Sequence, residues 1–173
     1  TVAALPHSGC RLLGPGGRCA KVYEIAVSMD SSRYLRPAMV PRSIAVVGAS
    51  PRPDSLGRFV YTNVMAAGFK GEVYAVNPRH RTIDGHPCLP SLTALPARVD
   101  LAVVVTGAQN VPGIIDEAGR KGIPAMLVLS PGLCEDGPER RQLEREVVER
   151  ARAARVRVFG PNCLGLMRPD IGL

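Results

Sequence analysis

An apolar run, Ile44-Ala45-Val46-Val47, stops on Gly48-Ala49-Ser50, and Ser55-Leu56-Gly57-Arg58 follows before the next apolar period begins. A strand that hands over to a helix through such a loop leaves backbone N–H groups unpaired at the helix N-terminus. The macrodipole there favours an anion, most often a phosphate. Gly48, Ser50, Ser55, Leu56, Gly57 and Arg58 are therefore the first candidate binding residues. Gly57 is expected to lie against the phosphate, so a branched side chain there should close the approach and spare the fold.

The second apolar run ends on Asn77-Pro78-Arg79-His80-Arg81. A dinucleotide reader shows G-x-G-x-x-G after its first strand and an acid after its second, which bonds the ribose hydroxyls. This chain has neither. A basic cluster in that place suits a ribose that carries a phosphate, as those of NADP and coenzyme A both do. No G-x-x-x-x-G-K-[ST] occurs, which excludes a Walker A loop. Later apolar runs end on Thr106-Gly107-Ala108-Gln109-Asn110, on Ser130-Pro131-Gly132 and on Gly160-Pro161-Asn162-Cys163. Small and polar residues at five successive run ends argue for one shared site.

Composition narrows the classes. Aromatic residues are 4% of the 173 and Trp is absent, which argues against a base-stacking nucleic-acid surface. The net charge is +7, but residues 1–40 carry five Lys/Arg against two Asp/Glu, leaving 17 against 13 for the rest. A domain at +4 with arginines interleaved among glutamates is not a polyanion-binding face. Cys10, Cys19, Cys88, Cys134 and Cys163 are odd in number and contain no CxxC pair. That speaks against a disulfide framework or a zinc site and for a reducing cytoplasm. Cys163 reads more readily as a small buried residue than as a reactive thiol. No apolar stretch approaches the ~20 residues that cross a bilayer, and Arg11, Arg18 and Lys21 interrupt any leader-like segment.

The elements that must position these residues follow from the hydrophobic period. Strands are expected at 44–47, 72–76, 101–105, 125–129 and 156–159. Helices are expected at 57–67, with Val60, Val64 and Ala67 inward, at 111–118 with Gly119 as its stop, and at 138–154, burying Leu143, Val147 and Ala151. Residues 79–98 read as an irregular connection with one helical turn near 91–95. Strands alternating with helices at this spacing make an open, doubly wound α/β domain with a mainly parallel sheet. Residues 1–28 read as a disordered or non-native extension. Residues 29–42 read as a lead-in that packs Tyr34 and Leu35 on the domain, kept largely non-helical by Pro37 and Pro41. The folded domain is placed at 43–170, and 171–173 at the start of a following domain.

The segments VGAS…SLGR, GEVYAVNP, VDLAVVVTGAQNVPGIIDEAGRKGI and VFGPNCLGLMRP resemble, in order from Pro41 to Pro169, the CoA-binding domain of NDP-forming acyl-CoA synthetases. More distantly they are similar to the α subunit of succinyl-CoA synthetase. The resemblance implies a Rossmann-like fold that holds CoA at its strand ends. It implies that Ser50 and Ser55–Arg58 hold the CoA phosphates, and that Asn77, Pro78 and Arg79 flank the adenosine with Arg79 or His80 near the 3′-phosphate. Thr106 belongs to the same set of strand ends. Ser130, Pro131 and Gly132 would then lie along the pantetheine arm, with Asn162 and Cys163 toward the thiol. In the resembled family a phosphohistidine and an ATP-grasp domain, on further domains or a subunit, relay phosphate from a nucleotide. No histidine of this chain falls in a comparable context, so the chain alone is expected to be inactive, with CoA or acyl-CoA as its ligand and no nucleic acid or membrane as partner. The same scaffold also occurs fused to acetyltransferase domains. An NADP-binding oxidoreductase module and a stand-alone regulatory CoA-binding protein remain the alternatives.

Overall fold

Every residue of Ser43–Val47 (β1) is buried. A strand without a wet face can sit only inside a sheet covered on both sides. The computed structural model, which describes residues 31–130, 137–160, 163 and 165–173, places it there. Glu72–Val76 (β2) runs parallel on one side, with Val47 opposite Val76. Leu101–Val104 (β5) runs parallel on the other, with Val47 opposite Val104. Ala125–Val128 (β6) and Arg157–Phe159 (β7) continue the sheet beyond β5. Beyond β2 lie His86–Leu89 (β4), parallel to it, and Thr82–Ile83 (β3), antiparallel to β4. The order is β3-β4-β2-β1-β5-β6-β7, so strand succession reverses at β1, and the crevice of this Rossmann-like sheet opens at the carboxyl ends of β1 and β5.

Two apolar layers cover the sheet. Ser31–Met39 (α1) and Leu56–Ala66 (α2) lie on one face, where Ala38 and Tyr61 join Ile44, Val46, Leu101 and Leu127. Val111–Lys121 (α3) and Pro138–Ala154 (α4) lie on the other, where Ile115, Ala118, Val147 and Ala151 meet Ala45, Val104 and Met126. On the wet side of α4, Arg150 bonds Glu146 one turn back at 2.9 Å and also pairs with Asp116 of α3. No helix among the described residues is long and apolar enough to cross a membrane.

Four expectations are corrected. Ser31–Met39 is helical despite Pro37. The ring removes one donor in the last turn of a short helix, Val40 N–H closes on the Arg36 carbonyl at 2.8 Å, and Ala38 is buried at 1% exposure. Leu35, expected to pack, is exposed, and the side chain of Tyr34 lies outside what is described. Residues 79–98 are not merely irregular: β3 and β4 form a hairpin through Asp84 and Gly85, at φ 51° and 80°, that widens the sheet by two strands. Gly119 lies inside α3, where a Cβ would stand 2.7 Å from the Ala154 methyl, and Gly122 at φ 74° ends the helix. Close approach to α4, not termination, requires that glycine. In α2 the buried positions are Gly57 and Tyr61, while Val60 and Val64 are half-buried and Ala67 is exposed. The expected extension at 1–28 lies outside the described residues. At the other end, Leu173 packs on the α2 face and its N–H bonds the Arg168 carbonyl at 3.0 Å.

Gly57 decides how α2 meets β1. A Cβ on it would stand 2.0 Å from the Gly48 carbonyl oxygen, so helix and strand touch backbone to backbone. The obstacle to a side chain is the protein itself and not a ligand. Gly57→Ala should therefore lower stability in urea unfolding by ~2 kcal/mol or more, the scale of overpacking against an atom that cannot move away. A fully stable Gly57→Ala protein would refute this packing.

The segment after β7 is tied to α1. Arg168 donates from Nη1 to the Met39 carbonyl at 2.7 Å and from Nε and Nη2 to the carboxylate of Asp170 at 2.9 and 2.7 Å. These bonds hold the Asp170 carboxyl below its ordinary 3.8. A group depressed on folding contributes stability above its unfolded value and loses it as pH falls through the folded one. The stability difference between the parent protein and Asp170→Asn should thus be present at pH 6 and shrink below pH 3.8. Urea unfolding of both proteins across that range reads it.

Candidate functional site

The strand-end loops meet at the switch point. Gly48 takes φ 94° and donates its N–H to the Val76 carbonyl at 2.8 Å, turning the chain out of β1. A Cβ on Gly48 would stand 3.0 Å from both the Thr106 methyl and the Val105 carbonyl oxygen, so the ends of β1 and β5 are also in contact. Further along the same edge, a Cβ on Gly160 would stand 2.6 Å from the Val128 carbonyl oxygen. Gly48, Gly57 and Thr106 are thus brought together by contacts that leave no room for larger side chains.

The turn that opens α2 is capped from within. Ser55 accepts from Arg58 N–H on its Oγ at 3.1 Å, donates that hydroxyl to the Arg52 carbonyl at 2.9 Å, and takes Phe59 N–H on its own carbonyl at 3.1 Å. Of the first turn's N–H groups, those of Leu56 and Gly57 are not on Ser55. Ser50, buried at 6% exposure, accepts from Arg52 N–H at 3.2 Å and shapes the loop between. The Arg58 side chain does not extend freely: its Nη1 contacts both carboxylate oxygens of Asp84 in the β3–β4 turn.

Asn77 joins β2 to that loop. Its Nδ2 donates to the Ala49 carbonyl at 2.7 Å, its Oδ1 accepts from Arg79 N–H at 2.9 Å, and its N–H bonds the Leu89 carbonyl at 2.8 Å. Pro78 and Arg79 are exposed and His80 is half-buried at the start of the basic run. On the opposite side, Ser130 is 1% exposed and its hydroxyl has no hydrogen-bond partner among the described residues. Thr106 is half-buried, its hydroxyl within 3.4 Å of the Gly107 carbonyl. Cys163 packs on the α2 face with its Sγ 3.4 Å from the Gly165 carbonyl. Pro131, Gly132 and Asn162 lie outside the described residues. A cavity of about 490 Å³ lies on the sheet face between α2 and residues 165–173, lined by aliphatic side chains and Asn63, and not among these loops.

Among the described residues burial shifts a thiol and a phenol. Burial pushes the Cys88 thiol above its ordinary value, which keeps it protonated and inert. Burial, then the nearby Asp84 and Cys88, likewise push the Tyr61 phenol up. Among the described residues no three His, Cys, Asp or Glu side chains gather to hold a metal. Two contributors escaped the sequence reading: Asp84 as partner of Arg58, and Ala49 as acceptor for Asn77. The first left a signal, because Asp-Gly is a strong two-residue hairpin dipeptide. The second left none, since any residue has a carbonyl.

Fold and site together define a doubly wound α/β domain whose strand-end loops gather at one edge. Residues 42–169 match the family described as the CoA binding domain, and the chain belongs to that family. It is 44% identical over 133 residues to acetate–CoA ligase (ADP-forming) I of Archaeoglobus fulgidus, a match covering 77% of this chain and 19% of that protein. It is 34% identical over 131 residues to the α subunit of acetate–CoA ligase (ADP-forming) I of Pyrococcus furiosus, covering 73% and 28%. Among solved structures, the dinucleotide-forming acetyl-coenzyme A synthetase 1 of Ca. Korarchaeum cryptofilum, in complex with phosphate and ADP, superimposes with a TM-score of 0.76 at 37% identity, covering 80% of this chain and 30% of that one. The chain thus spans between a fifth and a third of the length of these relatives.

Replacing Asn77 tests the brace. Asn77→Ala leaves the Ala49 carbonyl unpaired and should cost ~1–2 kcal/mol in urea unfolding. Asn77→Asp sets a carboxylate oxygen against that carbonyl and should cost more at pH 7, with the difference narrowing below about pH 4 as the acid protonates and regains a donor. Equal stability of the two variants at pH 7 would remove Nδ2 from its assigned role.

Proposed function

We propose that the chain binds coenzyme A along the carboxyl ends of its strands and serves as the CoA-binding portion of an ADP-forming acyl-CoA synthetase. The observation that carries this reading is the match of residues 42–169, a span that includes every strand end, to the CoA binding domain family. The geometry agrees. The N–H groups of Leu56 and Gly57 suit the 5′-diphosphate, the Arg79-His80 run suits the 3′-phosphate, and the unpartnered Ser130 hydroxyl suits an amide of the pantetheine arm. The NADP alternative is disfavoured by Asn77, which stands where a dinucleotide reader offers a free acid and already bonds Ala49 and Arg79. In the whole enzyme, phosphohistidine and nucleotide sites would stand on other domains or on a partner subunit.

Calorimetric titration with CoA, 3′-dephospho-CoA and NADPH tests the ligand. CoA should bind tightest, and dephospho-CoA should lose about tenfold or more, the scale of one charge-assisted contact. Tighter binding of NADPH would overturn the reading, and equal affinity for CoA and dephospho-CoA would remove Arg79 and His80 from the 3′-phosphate. The purified chain, given acetate, CoA and ATP or ADP with phosphate, should show no nucleotide turnover. Turnover would contradict the division of labour.

A further inference from the structure

The basic run Arg79-His80-Arg81 is held at both ends to one short stretch of chain. On its N-terminal side Asn77 Nδ2 bonds the Ala49 carbonyl at 2.7 Å. On its C-terminal side Asp84 contacts Arg58 through both carboxylate oxygens. Residues 49 and 58 bracket the β1–α2 connection, and Gly57 against the Gly48 carbonyl prevents α2 from shifting relative to β1. Asp84 takes φ 51°, the left-handed conformation that the first position of an Asp-Gly hairpin turn requires. It is also the sole acid between Glu72 and Asp100. An acid placed in a basic stretch, at the tip of a hairpin, against the first turn of α2 weakens the local attraction for a polyanion. It also fixes how far the hairpin stands from the helix N-terminus.

We propose that Arg58 and Asp84 form a positioning pair that sets the distance between two anion-holding elements, and so determines specificity for a ligand with a phosphate beyond its diphosphate. The inference rests on the reading that the α2 N-terminus holds the diphosphate and the basic run holds the 3′-phosphate. The diphosphate end is set by the glycine contact and does not depend on the pair. The second phosphate depends on the hairpin, whose Ile83 is buried at 1% exposure but whose turn is half-exposed and reaches α2 through Arg58. Breaking the pair therefore loosens one end of the site and leaves the other.

The test compares the affinities of the parent protein, Asp84→Asn, Arg58→Gln and the swapped protein Arg58→Asp with Asp84→Arg for CoA and for 3′-dephospho-CoA. Asp84→Asn should lose at least about fivefold in CoA affinity and less than about twofold for dephospho-CoA. Arg58→Gln, which also removes a charge beside the diphosphate, should lose on both ligands and more on CoA, so the preference falls in each. The swap should restore a measurable part of it. Hydrogen exchange at Cys88 N–H, which bonds the Arg81 carbonyl at 2.8 Å, should quicken in both single variants without ligand. An unchanged preference with unchanged exchange would overturn the pair's role. A preference that rises on Asp84→Asn would overturn it in the opposite sense, showing that the acid only withheld Arg58 from the ligand. A parent protein that binds neither ligand, or binds both equally, would overturn the assignment of the phosphates and the pair's role with it. Faster exchange would then leave the ion pair as a structural tie alone.

Discussion

The Gly57 Cα rests on the Gly48 carbonyl, and the architecture of the strand-end edge depends on that contact. A parallel sheet needs a helical crossover after each strand, and the first crossover must leave β1 and return over the sheet within a few residues. Gly48 makes the outward turn at φ 94°, and Gly57 lets the helix begin directly against it. With any other residue at 57 the helix would stand off the strand, and Tyr61 one turn later would leave the core it fills at 2% exposure.

Around this contact the polar groups divide their work. The Ser55 cap, the Asn77 brace and the Arg58–Asp84 pair each join residues distant in sequence within one small region of the surface. Most of them bond the protein and not a ligand. Among the described residues what they leave over is limited: the N–H groups of Leu56 and Gly57, the basic run, and the buried hydroxyl of Ser130. On the proposed reading such a surface selects its ligand by the spacing of the ligand's anionic groups more than by any single strong contact.

The parallel core was legible because strands buried on both faces leave uninterrupted aliphatic runs, and β2 and α4 lie where the period placed them. The hairpin was not legible, since a strand of two residues has no period and Pro87 in its partner reads as a breaker. α1 was hidden by Pro37, whose effect near a helix end is smaller than in its middle. Gly119 looked like a stop because the neighbouring helix that requires a glycine there is separated from it by more than thirty residues. In the site, residue types led to the expectation of an anion. Which groups would be occupied internally depended on partners 26 and 28 positions away, beyond the reach of local pattern.

Among the described residues the sheet ends on β3 and β7, of two and three residues. Such stubs offer a stranger's strand too few free amides in register to propagate a ladder, and the interior strands are already matched on both sides. Margins this short are poor templates for pairing with the apolar strands at the centre of the sheet.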